Sequence, residues 1–352
     1  DLCQGEFGRK TAYTGVDQIT PQNVAQVLSD TIGIHNRNRT LMDYLYRYYK
    51  GDQPILYREK LVRPEVNNKV VENHALETVK FKAGQIYGEP IQYVCKKKKA
   101  SEETNEQVDR LNDYLDEANA DARNIQLGIY QSAVGTAYKA ILREDEWTKD
   151  GDLPPFRIFI PSPQDVYIVY SSVTGKPVLS VQILKDEDNQ QYYQCYSSRQ
   201  YFKIQNGAVT ESGINGFGGI PIIEYPNNHD RLSDIEIAIT MYDAINKYQS
   251  DRLNGVEQFV QALMKFKNCE IDEAEFVKMI KLGAVSVKDV GNGTQSDVDL
   301  MTAELNQSES QVAKDDIYNN MLIVEAMPNR QGNTGGDTGN AVYLRNGWDF
   351  AE

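Results

Sequence analysis

The chain has 352 residues, 40% of them hydrophobic, which is enough to bury a sizeable core, excludes a disordered protein and argues for two or three domains. With 51 acidic against 37 basic residues, its formal net charge of −14 disfavours non-specific adhesion to nucleic acid over the surface as a whole. Cys3, Cys95, Cys195 and Cys269 are far apart, with no Cys-x-x-Cys pair and no histidine at ligand spacing, so free thiols in a reducing compartment are expected and a structural zinc site is not.

No stretch approaches the roughly 20 apolar residues that span a bilayer, and the N-terminus lacks the charged-then-apolar form of a signal peptide, so no membrane partner is expected. The chain opens at Asp1 without methionine and stops at Glu352 just after a segment that reads as structured, as expected of a piece of a longer protein.

Residues 1–14 show no periodicity and read as a flexible arm. Thr20 as N-cap and Pro21 in the first position predict a short helix over 21–30. A second helix is predicted over 37–50, closed by Gly51. Its Tyr44, Tyr46, Tyr48 and Tyr49 interleave with Arg37, Arg39, Arg47 and Lys50. A stacking platform for single-stranded nucleic acid uses such a mixture, although packing or a subunit interface is the commoner role of clustered tyrosines.

A helix is predicted over 67–87, with Val70, Val71, Ala75, Leu76, Val79, Phe81, Ala83 and Ile86 mostly on one broad face and Gly88 and Pro90 ending it. Residues 91–95 read as a strand. The basic run 96–99 lies beside an acidic stretch and reads as a solvated loop rather than a phosphate contact. Helices over 102–119 and 121–134 follow, before the pattern changes at Gly135.

From Thr136 to Tyr225 the sequence turns to short β runs, at 137–142, 156–160, 165–170, 178–184, 191–196 and 200–204. Turn signals such as Thr174-Gly175-Lys176-Pro177 and Asn206-Gly207 separate them, which predicts an antiparallel meander. Residues 213–219 read as a flexible loop, and 220–225 as an extended segment leading into a long helix.

That helix is predicted over 232–263, where Leu232, Ile235, Ile239, Tyr242, Ile245, Val256, Val260 and Leu263 recur at helical spacing. At ~1.5 Å per residue it would reach about 45 Å, far beyond the mean helix of roughly 11 to 12 residues. Between the apolar positions Asp243, Asn246, Lys247, Gln249, Ser250, Asp251, Arg252 and Asn254 form a polar centre, so one face is expected to meet water or another subunit. Gly255 inside the pattern, at a cost of roughly 1 kcal/mol relative to alanine, predicts a kink near Asn254.

Beyond it, Asp272 caps a predicted helix over 273–282, and 284–288 is expected to pair with 297–301 across Gly291-Asn292-Gly293. Ser308 and Gln311 fit a capping box that opens a returning helix through Val312, Ile317, Met321 and Val324 to Pro328. The segment Gln331, Gly332, Asn333, Thr334, Gly335, Gly336, Asp337, Thr338, Gly339 and Asn340 is glycine-rich, nearly free of apolar side chains and poorly suited to regular structure. A new apolar run begins at Ala341. The fold class expected is α+β.

No enzymatic constellation stands out. His35, His74 and His229 are isolated from one another and from any cysteine, and no glycine-rich segment has the spacing of a phosphate loop. Carboxylates at Asp315 and Asp316, or at Glu270, Asp272 and Glu273, would suit Mg²⁺ in a nuclease-like site, but exposed helix-end charge is the simpler reading. A structural or binding protein with no cofactor and no metal is expected, rather than an enzyme.

Three stretches stand in a telling order: Tyr48-Tyr49-Lys50-Gly51-Asp52-Gln53-Pro54-Ile55; Asn67-Asn68 with the helix to Gly84-Gln85-Ile86-Tyr87-Gly88-Glu89-Pro90; and Ile220-Pro221-Ile222-Ile223-Glu224-Tyr225-Pro226-Asn227-Asn228 before Ser233-Asp234-Ile235-Glu236. Followed by helix, insert, helix and glycine-rich loop, this order resembles the portal proteins of tailed bacteriophages, in the group typified by the portal of Bacillus phage SPP1.

The resemblance implies a portal-like architecture: an α/β wing over 1–228, a first stem helix over 229–263, a small α/β clip over 264–307, a second stem helix over 308–327 and a tunnel loop over 328–340. Residues 341–352 would begin a further helix leading to a crown, which the chain does not include. It further implies a dodecameric ring at the capsid vertex of a phage or prophage virion, assembled in the bacterial cytoplasm. Double-stranded DNA would pass through that ring, and terminase, head-tail adaptor, capsid and scaffolding proteins would be its partners. On this reading residues 331–340 form the DNA-channel loop, and Ile235, Ile239, Tyr242, Ile245, Val256 and Val260 the stem oligomer interface.

The composition agrees with such a role, since a conduit should avoid dense cationic contacts that release counterions and add binding, and the loop carries no cation after Arg330. Its glycines would let copies in a ring adopt different conformations around a symmetry-mismatched DNA helix. Two alternatives remain: another oligomeric head-tail component whose long helix is an assembly arm, and a metal-dependent nuclease using the acidic clusters.

Overall fold

The computed structural model describes residues 7–61, 64–96, 102–143, 154–260, 263–267, 272, 274, 277, 297–301 and 307–329. The chain divides into two compact units, one of Asp1–Gln53, Asn73–Tyr242 and Asn319–Glu352, the other of Pro54–Glu72 and Asp243–Tyr318. The architecture is α+β, as expected. Among the described residues no helix is long and apolar enough to cross a membrane.

The first unit holds two sheets. Strands β1 (Ala12–Thr14), β4 (Val166–Ser171), β5 (Pro177–Lys185), β6 (Gln191–Tyr196), β7 (Gln200–Gln205) and β8 (Ala208–Ile214) form a six-stranded sheet in the order β1-β4-β5-β6-β7-β8. From β4 to β7 it follows the predicted antiparallel meander, which β8 extends, whereas the first two predicted runs, 137–142 and 156–160, lie in a different sheet; β1 adds to the edge in parallel with β4. Strands β2 (Thr136–Arg143), β3 (Phe156–Phe159) and β9 (Ile222–Pro226) form a second sheet with β2 central and antiparallel to both neighbours. The β7–β8 turn is Asn206-Gly207, both with positive φ (52° and 77°), the backbone that a tight hairpin needs and that these two residues adopt most readily.

Side-chain alternation explains the layering. Along β4, Tyr167 and Val169 point to one core, with Leu179 and Val181 of β5 and Phe202 and Ile204 of β7. Helix α1 (Val24–Tyr49) covers that core with Val24, Val27 and Leu28 at i, i+3 and i+4. The alternate residues Val166 and Ile168 face the other way, against Tyr138 and Ala140 of β2 and Ile222 of β9. Helix α4 (Ala120–Val134) then packs Leu127 against Ala137 on the far side of β2.

Helices α2 (His74–Tyr87) and α3 (Glu102–Glu117) complete this unit. Three expectations change here, the first being that residues 91–95, expected as a strand, form none. The pair of helices predicted over 21–30 and 37–50 is the single helix α1, because the buried stripe continues through Thr31, His35 and Asn38, polar residues that hydropathy does not flag. The helix predicted from residue 67 starts only at His74, where Asn73 caps it by accepting the Leu76 N–H at 3.3 Å. Strands β1 and β8 were not predicted. The first is three residues long, and the second is largely exposed, so neither carries an apolar alternation.

Helix α5 (Asp234–Val260) begins in the first unit and continues, through Gly255, in the second. It stops short of Leu263, which opens β10 (Leu263–Lys267). β10 pairs antiparallel with β11 (Asp297–Met301). Residues 284–288, predicted to pair with β11, lie outside the described residues, as does most of the helix predicted over 273–282. Helix α6 (Gln307–Val324) is the returning helix.

Candidate functional site along helix α5

The start of α5 is fixed by a reciprocal cap. Ser233 Oγ accepts the Ile235 N–H at 3.0 Å, while Glu236 reaches back to accept the Ser233 N–H at 2.8 Å. The Ser233 hydroxyl also lies within hydrogen-bond distance of the Ser132 and Ala133 carbonyls, at 3.0 and 2.9 Å, where it donates to the end of α4. Ser132 returns a bond to Asp234 at 2.6 Å. The start of α5 therefore satisfies its own orphan N–H donors and supplies a donor to the orphan carbonyls at the end of α4. Gly135, with φ of 86°, ends α4 so close to the Arg231 carbonyl that an added Cβ would lie 2.1 Å from its oxygen.

One buried and one half-buried ion pair sit beside this junction. Arg9 donates Nη2 to Glu236, which also accepts the Gly8 N–H at 3.2 Å. Arg231 makes a two-point contact with Glu224 at 2.7 and 3.0 Å, and Tyr170 and Thr136 donate to the same carboxylate at 2.7 and 2.9 Å. Buried charges need this density of partners to offset their desolvation.

About two turns further along, Tyr242 of α5, Thr78 of α2 and Glu325, just beyond α6, form a triangle of contacts. Thr78 donates to Glu325 Oε2 at 2.6 Å, Tyr242 donates to Oε1, and the two hydroxyls are 2.9 Å apart. Three contacts among three groups need three hydrogens, and an ionised carboxylate leaves only two. When Glu325 is protonated its O–H donates to one hydroxyl, that hydroxyl donates to the other, and the other donates back to the carboxyl, which closes the ring. Consistently, burial pushes Glu325 up to about 7, against the opposing pull of the Thr78 and Tyr242 hydrogen bonds and of Lys82.

In the second unit the polar centre of α5 has an unexpected partner. Asn246, Ser250 and Asn254 stand at i, i+4 and i+8, on one face of the helix. Asn246 Oδ1 accepts the Glu72 N–H at 2.8 Å, Ser250 Oγ the Val70 N–H at 2.9 Å and Asn254 Oδ1 the Asn68 N–H at 2.7 Å. Two residues of extended chain rise about 6.6 Å and four residues of helix about 6 Å, so the two periods match and each second N–H meets a helical acceptor. All three acceptors are buried. This part of the polar centre therefore faces the chain's own backbone, contrary to the expectation of water or another subunit.

Side chains brace the same face. Arg58 reaches Asp251 at 2.8 Å, Asn68 donates to Glu257 at 2.7 Å, and Lys314 of α6 binds Glu72 at 2.8 Å.

Of the six side chains expected at a stem interface, Ile235, Ile239, Tyr242 and Ile245 are buried within the chain and Val256 is 42% exposed. The Val260 side chain and the loop residues 331–340 lie outside what the structure describes. Exposed apolar positions that the periodicity did not single out are Ile237 and Leu253 on α5 and Ile323 on α6, the last 74% exposed, while Val312, a member of the returning-helix pattern, is 68% exposed. Hydropathy marks them as apolar, but only packing reveals which apolar side chains a helix leaves uncovered.

Clustered tyrosines in α1 pack as structure, with Tyr48 buried and Tyr46 stacked on Tyr49 at 5.7 Å. Among the described residues no three His, Cys, Asp or Glu side chains converge on a point where a metal ion would sit. Asp315 accepts from Gln311 at 2.6 Å, as a helix-surface pair.

The family model for phage portal proteins of the SPP1 Gp6-like type matches residues 28–345. Among solved structures, the chain is similar to one in the neck of a native GTA particle computed with C12 symmetry, at 12% identity and a TM-score of 0.46, covering 77% of this chain and 71% of that one. It is also similar to a chain in the neck of an empty GTA particle computed with C6 symmetry, at 12% identity and a TM-score of 0.48, covering 78% and 71%. No curated protein sequence matches.

Proposed function

As this chain belongs to the phage portal protein family of the SPP1 Gp6-like type, we propose that it is one subunit of a ring at the capsid vertex, a conduit for double-stranded DNA during packaging and ejection. The observation that carries this reading is the family match over residues 28–345. The ring is a dodecamer in the virion. Terminase docks on it during packaging, head-tail adaptor proteins dock on it afterwards, and capsid and scaffolding proteins surround it.

The physical arrangement fits a passive role. Helices α5 and α6 are the stem, 264–307 the clip, and residues 331–340 the loop that touches passing DNA. Helix α5 is capped at its start in the first unit, and in the second its centre is hydrogen-bonded to the segment 68–72. Ile235, Ile239, Tyr242 and Ile245 set its position from beneath, and Val256 presents apolar surface to a neighbouring copy. The family is a structural one, and on this reading the chain contributes no hydrolysis; the energy of packaging comes from the motor that docks on it.

Deleting residues 332–339 tests the conduit. The deleted protein should still form rings but package DNA poorly, and normal packaging would remove the loop from the proposal.

A further inference from the structure

A narrow cavity of about 10 Å³ lies in the first unit, between the N-terminal arm, α1 and the two sheets. Among the residues lining it are Arg9, His35, Tyr138, Tyr167, Glu224 and Arg231. Its size is close to the minimum that holds one water molecule.

Three buried polar atoms of the lining have no hydrogen-bond partner among the described residues: Nε and Nη1 of Arg9 and Nδ1 of His35. The Arg9 side chain is 0% exposed and uses Nη2 on Glu236, so a charged group with two unpartnered donor nitrogens is sealed away from solvent. Buried donors of this kind are rarely left without an acceptor.

The histidine fixes the chemistry of the other side. His35 Nε2 lies 2.9 Å from the Gln164 main-chain oxygen, and a carbonyl only accepts, so Nε2 carries the hydrogen. Burial pushes His35 down to about 4, which keeps the ring neutral at physiological pH. Its Nδ1 is then a lone pair that needs a donor. The ring is held in place by stacking on Tyr167 at 4.6 Å between centroids.

An occupant must therefore accept from a guanidinium and donate to an imidazole nitrogen. A halide accepts only, and a metal cation would meet the positive face of Arg9. We infer that the cavity is a binding site for a single water molecule bridging the Arg9 guanidinium to His35 Nδ1. Since Arg9 also holds Glu236, this water ties α1 to the cap of α5.

The test is a high-resolution structure of the assembled protein, from crystals or frozen particles, with a second data set from bromide-soaked crystals. One density peak within hydrogen-bond distance of both Arg9 and His35 Nδ1, with no bromide anomalous signal, is expected. A bromide peak at that position would overturn the assignment in favour of an anion, and so would an Arg9 side chain that spends Nε and Nη1 on protein acceptors with no peak between. In the His35→Phe variant, which keeps an aromatic ring on Tyr167, the peak should be lost or fall severalfold in occupancy. An unchanged peak would show that His35 is not its acceptor.

Discussion

Asn254 on α5 accepts the main-chain N–H of Asn68 at 2.7 Å, and the same oxygen lies 3.1 Å from the Asn68 side-chain amide. This contact ends a ladder that began with Asn246 and Glu72, and it accounts for the polar centre of an otherwise apolar helix. Without those acceptors the Asn68, Val70 and Glu72 N–H groups would be left unpaired. Replacing Asn254 by Leu should cost about 1–3 kcal/mol, more than Lys247→Leu on the exposed face. Chemical unfolding of the two variants measures the difference.

The Thr78–Tyr242–Glu325 triangle predicts a pH dependence. A carboxyl group whose folded pKa is raised to about 7 from 4.5 contributes stability that is fully present below the unfolded value and is lost as pH rises through the folded one. The protein should therefore lose stability between pH 5 and 8, by ~3 kcal/mol at most from this group alone. In Glu325→Gln, whose side chain cannot ionise, the stability curve over that window should flatten. An equally steep curve in the variant would assign the loss to another group.

Gly135 and Gly175 both have positive φ, 86° and 68°, but differ in their surroundings. Alanine at 135 would drive its Cβ into the Arg231 carbonyl, whereas alanine at 175 meets nothing within 4 Å. The first substitution should destabilise by more than about 2 kcal/mol and the second by about 1 kcal/mol, from the left-handed backbone alone. Thermal unfolding of the pair separates close approach from backbone strain.

Val256 is the exposed member of the expected stem interface. Val256→Asp should leave the unfolding midpoint of the isolated subunit within about 0.5 kcal/mol of the parent and reduce ring assembly severalfold, because a carboxylate on an apolar subunit contact must be desolvated. Particle counts by electron microscopy, with unfolding curves as control, would show both effects.

Much of the secondary structure was legible because it follows simple periods. The meander strands, α3, α4 and α6 appear near their predicted bounds. What the sequence hid depends on partners distant in the chain. Residues 67–73 look helical by composition, yet they are extended, because their N–H groups are taken by side chains about 180 residues later. Thr31, His35 and Asn38 bury without being apolar, each through bonds such as Thr31 to the Val27 carbonyl at 2.7 Å and His35 Nε2 to the Gln164 main-chain oxygen at 2.9 Å. Likewise, the raised pKa of Glu325 comes from burial beside residues distant in the chain, which no local motif encodes.

Family membership makes a structural role the central claim, and its most direct test is electron microscopy of the purified protein in its natural full length, supported by mass measurement in solution. Closed rings with an axial channel wide enough for duplex DNA, with α5 and α6 lining the narrow part, are expected. A particle that remains monomeric, or a closed assembly with no axial channel, would contradict it.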